Sequence, residues 1–184
     1  GGEKSRATWL FTDVRGFTSM SESMPPERVT RIMNLALTAQ QSAVQKHGGM
    51  VDKFIGDAMM GAFGIPLPME KHEDAAIRCA LEIRINMTIL NQKLESEGLP
   101  PIAIGIGIST GEAVVGNMGS ENRFDYTAIG DAVNTGARLE SATKDQKVDL
   151  LISEETAKAS EFPLKYINEI NVKGKAKSLK VYGI

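Results

Sequence analysis

The chain has a single cysteine among its 184 residues, so Cys79 has nothing to bridge to within it and an internal disulfide framework is excluded. Its position on an apolar helical stripe reads as core packing in a reducing compartment. An excess of one charge is also missing. Lys plus Arg is 21, Asp plus Glu is 23 and the formal net charge is -2, which gives no electrostatic footprint for nucleic acid or an anionic membrane. A polyanion would have to be held at a local site. No apolar run approaches the ~20 residues needed to span a bilayer, and no signal peptide heads the chain. The expectation is a cytoplasmic domain without direct membrane contact. Internal repeats and low-complexity segments are absent as well. What is present, 42% hydrophobic and 24% charged residues, suits one globular domain that builds its core without staples. Gly1-Gly2 resembles a cloning remnant and Glu3 to Arg6 a polar lead-in, so residues 1–6 are read as a tag or linker end and 7–184 as the domain.

The residue pattern predicts a first strand over Thr8 to Val14, running into a turn at Gly16. Helical spacing of Val29, Ile32, Met33, Ala36, Ala43 and Val44, between Pro25-Pro26 and Gly48-Gly49, predicts an amphipathic helix. Met50 to Ile55 and Ala58 to Phe63 flank Gly56-Asp57 as a hairpin. A second long helix spans His72 to Glu97 on the stripe Ala76, Cys79, Ile83, Met87, Leu90 and Leu94. The run IAIGIGIS over Ile102 to Ser109 alternates with glycines that suggest another backbone or a ligand close by, and Ala113 to Met118 is expected as its hairpin partner. Asp131 to Ala142 is predicted as a third helix, and Tyr166 to Val172 with Leu179 to Ile184 as a closing hairpin. The order points to an α+β fold: a ferredoxin-like βαββαβ core with an extra helix and a C-terminal hairpin, the helices packed on a mostly antiparallel sheet.

Asp13 closes a strand ahead of a glycine turn and a helix start, a setting that presents backbone N–H groups to an anion. A carboxylate there can hold Mg²⁺ that bridges to phosphate, or simply cap the turn. Asp57 sits at a hairpin tip, where a plain turn would also carry Asp. If the hairpin pairs beside the first strand, the two could share metals about 4 Å apart, as two-metal phosphoryl chemistry requires. Asn134 and Arg138, four apart on one helix face, converge on one point. The plain alternative is that Arg138 and Glu140 are solvated surface.

FTDVRGFT at 11–18 and GGMVDKFIGDAMMGAFG at 48–64 resemble the two metal-binding motifs of class III nucleotidyl cyclases. FDYTAIGDAVNTGARLE at 124–140 and NVKGK at 171–175 resemble that family's substrate segment and its phosphate-binding hairpin. Four motifs in order over nearly the whole chain make the signal strong where any one would be weak. The resemblance implies that Asp13, Asp57 and the Val14 carbonyl hold two divalent ions, Mg²⁺ with Mn²⁺ able to substitute. It implies that the amides of Gly16, Phe17 and Thr18 cradle the β and γ phosphates, that Lys53 and Thr127 read the base, and that Asn134 orients the ribose. Arg138 would neutralise charge on the α-phosphate, and Lys173 would reach the terminal phosphates, with Lys175 its rival. The Lys/Thr pair favours ATP over GTP, since lysine can donate to adenine N1 and threonine can accept from the exocyclic amine. Thr in place of the Asp that many members carry resembles the subgroup associated with bicarbonate response.

The activity implied is that of an adenylyl cyclase, a phosphorus-oxygen lyase making cyclic AMP and pyrophosphate for signal transduction. The 3′-hydroxyl would attack the α-phosphorus in line, assisted by both metals. Its two sites would lie across a homodimer interface, below an upstream regulatory domain. The alternatives are a guanylyl cyclase and a catalytically silent nucleotide-binding dimerisation module. A diguanylate cyclase is disfavoured because GGMVD at 48–52 lacks the acidic pair expected after Gly-Gly.

Overall fold

In the computed structural model, which describes residues 2–118, 125–171 and 178–184, the chain first forms β1 (Glu3–Val14), α1 (Phe17–Ser23), α2 (Pro26–Lys46), β2 (Met50–Ile55), β3 (Ala58–Phe63) and α3 (His72–Ser96). It continues with β4 (Ile104–Met118), β5 (Asp125–Ile129), α4 (Asp131–Gln146), β6 (Leu150–Ser153), α5 (Glu154–Ala159), β7 (Lys165–Ile170) and β8 (Leu179–Gly183). Among the described residues the strands make one sheet in the order β2-β3-β1-β4-β6-β8-β7, with β5 added to β4. Every pairing is antiparallel except β4 with β6. This is the expected α+β architecture.

Local chemistry sets the helix limits. Pro26 opens α2, where a missing N–H costs nothing, and Gly48, with φ 80°, supplies the left-handed backbone that ends it. Glu73 and Asp74 lie in the first turn of α3, where the helix dipole favours carboxylates. The apolar stripes of α2 and α3 then cover one face of the sheet. Ile32, Ala36 and Val44 meet Ile77, Cys79 and Ile83 over Leu10, Val14, Phe63, Ile106 and Ile108. Burial pushes the Cys79 thiol up to about 12, as the core reading requires.

Two expectations are corrected. Ile102 to Ser109 and Ala113 to Met118 are not two arms of a hairpin but one strand, β4, because Gly111 stays in the ladder opposite Ala7. Its hairpin partner is β5, with Val114 opposite Ile129. The first strand also begins at Glu3 rather than Thr8, since Glu3 to Arg6 pair with Val115 to Glu112 along that longer β4.

The glycines of β4 explain the opposite face. Ile106 and Ile108 point to α2 and α3, so Gly105 and Gly107 turn the other way, and there α4 lies directly on the backbone. A Cβ on Gly107 would run into the backbone N of Glu140 and O of Gly136. The glycines make room for another backbone.

Candidate active site

The register places Asp13 between Ala58 of β3 and Gly105 of β4. Ala58 follows directly on the Gly56-Asp57 turn, where Gly56 adopts φ 61°, so Asp57 arrives beside Asp13. The two side chains come within hydrogen-bond reach of each other. Asp13 is pushed up to about 6, by burial first and then by the bond to Asp57 and its like charge. The Lys144 ammonium and the Val14 N–H pull the other way.

Two carboxyls held this close repel as soon as both are ionised, and a hard cation between their oxygens removes the conflict. The donor set fits such an ion. Two carboxylates, with the Val14 carbonyl next along the chain, leave positions for phosphate and water, as Mg²⁺ sites do. Among the described residues no group of three or more His, Cys, Asp or Glu side chains could hold a metal, so the pair is not part of an all-protein cage.

Beside the pair, Gly16 has φ 67° and caps α1, and nothing lies within 4 Å of where its Cβ would be. That leaves the backbone open around Gly16, Phe17 and Thr18, whose N–H groups at a helix start have no intrahelical partner.

The structure separates the remaining expected residues that it describes from Asp13. Gly136 and Glu140 of α4 face the sheet. Asn134 and Arg138 each lie two positions from one of these, roughly 200° around the helix, and so share an outward face; Asn134 is exposed and Arg138 half-buried. Lys53 sits on the edge strand β2, opposite Met60 of β3 and thus two strands from β1. The backbone of Thr127 pairs with Gly116 in β5. Lys173 and Lys175 lie outside the described residues.

What α4 does bring to the carboxylates is Glu140, with Lys144 one turn on. Against the plain alternative of a solvated surface, Glu140 is only 8% exposed. It is buried because the glycines of β4 let the helix settle onto them: its Oε2 lies 3.2 Å from the position a Gly105 Cβ would take. Burial, then the charge of Asp13, raises its carboxyl to about 7, against the opposing cations Lys144 and Arg15. The signal was legible in principle, as Gly105 and Gly107 already called for a backbone overhead.

Of the exposed apolar side chains, Ile55, 62% exposed, shares the Asp13 face, whereas the register puts Phe54, Val114 and Ile129 on the other face of the sheet. Trp9 is fully buried in the small cluster with Met60, Ala62 and Val115, yet its Nε1 has no hydrogen-bond partner among the described residues.

Comparison with known proteins gives this arrangement its family. Residues 2–184 match the model of the adenylate and guanylate cyclase catalytic domain. An adenylate cyclase of Anabaena cylindrica is 38% identical over 97% of the chain and 36% of its own length. Adenylate cyclase 1 of Rhizobium meliloti is 31% identical over 98% of the chain and 28% of its own. The chain thus spans about a third of the length of these relatives. Among solved structures, the adenylyl cyclase CyaB from P. aeruginosa superposes with a TM-score of 0.91 at 35% identity, over 99% of this chain and 94% of that one. The guanylyl cyclase Cya2 also gives 0.91, at 33% identity over 99% and 92%. The chain belongs to the class III nucleotidyl cyclase catalytic domains. Equal fits to an adenylyl and a guanylyl cyclase mean that overall shape does not choose the base.

Proposed function

We propose that this domain is an adenylyl cyclase that converts ATP to 3′,5′-cyclic AMP and pyrophosphate in sites shared by two copies of the chain. The observation that carries the reading is the Asp13–Asp57 pair, brought into hydrogen-bond contact at the open turn of Gly16. Divalent ions held there would neutralise the triphosphate and acidify the ribose 3′-hydroxyl. The 3′ oxygen attacks the α-phosphorus, the bond to the bridging oxygen breaks, pyrophosphate leaves with that electron pair, and the hydroxyl proton passes to solvent.

The chain's own part is binding and orientation. The Gly16, Phe17 and Thr18 amides receive the outer phosphates, and Lys173 neutralises them. Asn134 orients the ribose, while Arg138 meets the charge developing at the α-phosphate, a contribution of about 3 kcal/mol for such a donor. Lys53 and Thr127 read adenine. The outward face of Asn134 and Arg138 supports a homodimer in which one copy supplies the carboxylates and the other these groups. Control by parts of the protein outside this domain would then act on dimer geometry.

The test is cyclic nucleotide formation by the purified chain from ATP and from GTP, with Mg²⁺ or Mn²⁺, across a range of protein concentrations. Cyclic AMP that rises more than linearly with protein is the expected result. Cyclic GMP as main product would overturn the base reading, and no product at micromolar protein would favour the silent module. A guanylyl cyclase is the second reading, because Cya2 fits the chain as well as CyaB does.

A further inference from the structure

Strand β2 contains one residue more than its pairing uses. Val51 lies opposite Gly61 and Lys53 opposite Met60, so between them Asp52 has no counterpart on β3. This is a β-bulge, a device that re-aims neighbouring side chains. Asp52 is also unusual chemically: both carboxylate oxygens are shielded from solvent and neither has a hydrogen-bond partner among the described residues. Burial raises its carboxyl, and the charge that opposes this is that of Lys53.

A buried carboxylate without a partner is costly, and breaking a local rule without a packing reason is characteristic of functional positions. The backbone ladder supplies no reason here, because it closes around Asp52 without using it. Among the described residues the cation acting on it is the next residue, which the reading above places against the base. Lysine carries its charge on a flexible four-carbon stem and loses much rotamer freedom when seated. Its ammonium has three donors, enough to serve a carboxylate and a base together.

We propose that Asp52 is a positioning residue for base selection, holding the Lys53 ammonium in the place from which it reads adenine. The inference rests on Lys53 contacting the base, and it adds a residue with no substrate contact of its own. Seating Lys53 gives Asp52 its partner and spares the substrate the entropy of ordering that side chain.

The experiment compares Asp52→Asn, Lys53→Ala and the double variant of the purified chain, measuring kcat and KM for ATP and GTP together with thermal unfolding. For Asp52→Asn the expected result is an ATP KM raised about fivefold with kcat within about twofold, and a preference for ATP over GTP reduced about fivefold. Its Tm should be unchanged or higher, since an unpaired buried charge is gone. Lys53→Ala should lose more of the preference, and the double variant no more than Lys53→Ala alone.

Intact ATP preference in Asp52→Asn, with the preference lost in Lys53→Ala, overturns the role of Asp52 and leaves the base reading standing. Intact preference in Lys53→Ala overturns both. Additive losses in the double variant overturn action through Lys53. A lowered Tm with equal losses on ATP and GTP assigns Asp52 a structural role instead. Asp52→Glu provides the control if the Asn variant folds poorly: retained selection supports the proposal, and lost selection with a normal Tm counts against it.

Discussion

The sheet face under α2 and α3 and the face under α4 treat polar groups differently. On the first, the polar side chains that reach inward are partnered: Thr12 donates to Gln40, and Thr8 bonds to His72 and Thr110 at 2.7 Å each. On the second, Trp9 Nε1 has no partner among the described residues, Glu140 is buried and raised to about 7, and Asp13 is raised to about 6 beside Asp57. Complete satisfaction marks a face built for stability. Deficits gathered on one side are characteristic of a functional face.

The sharpest way to break this contrast is Asp57→Ala. Activity should fall about a thousandfold or more, while unfolding of the metal-free protein should occur at the same or a higher temperature, because the repulsion with Asp13 is relieved. A calorimetric scan beside the cyclase assay checks both. Gly107→Val strikes the seat of α4 and should cost about 3 kcal/mol, since its Cβ meets helix backbone that cannot swing away. Denaturant titration reads that loss.

On the other face, Ile83→Ala should cost a similar amount, about 3 kcal/mol, but leave metal affinity intact when Mn²⁺ binding is followed by electron paramagnetic resonance. A dependence on pH sharpens the contrast further. Asp13 near 6 and Glu140 near 7 lie above the usual carboxyl value of about 4. At these two carboxyls the folded metal-free chain therefore holds more protons than the unfolded chain between about pH 4 and 7. Their contribution to stability should fall as pH rises through that window, while the lowered His72 works in the opposite direction. Divalent ions need the deprotonated pair, so their stabilising effect should grow over the same interval. Melting curves at pH 5 and 7.5, with and without Mg²⁺, test the sign, and Glu140→Gln should flatten the upper part. The smallest effect belongs to Arg31→Ala. Its two bonds to Glu97, 2.6 and 2.8 Å long, lie at the surface, and neither activity nor Tm should change measurably.

Much of this was legible beforehand. The hairpin around Gly56-Asp57 and both long helices followed from spacing and punctuation, which are local signals. The sequence splits β4 into two short runs, Ile102 to Ser109 and Ala113 to Met118, because local pattern does not show that they continue. Only the length of β1, a pairing partner far along the chain, shows that it continues. The burial of Glu140 is not visible in sequence, because helix periodicity tells which residues share a face but not how close the sheet approaches. Asp52 left no trace at all, since a bulge is a relation between two strands and appears in neither one alone. For Asn134, Arg138 and Lys53 the sequence indicated residue types that suit the chemistry, while the fold shows that one chain keeps them away from its own Asp13.

The bulge in β2 also bears on reading frame. In a regular strand odd and even positions face opposite sides, and one inserted residue exchanges the two sets beyond it. Here the surplus position is absorbed in place: Val51 and Lys53 stay on opposite sides, as consecutive residues would. Excising position 52 would therefore leave both faces of the strand in phase. In β2 the count of residues and the parity of the strand are decoupled, so the chain could gain or lose an acid beside Lys53 without refolding the sheet.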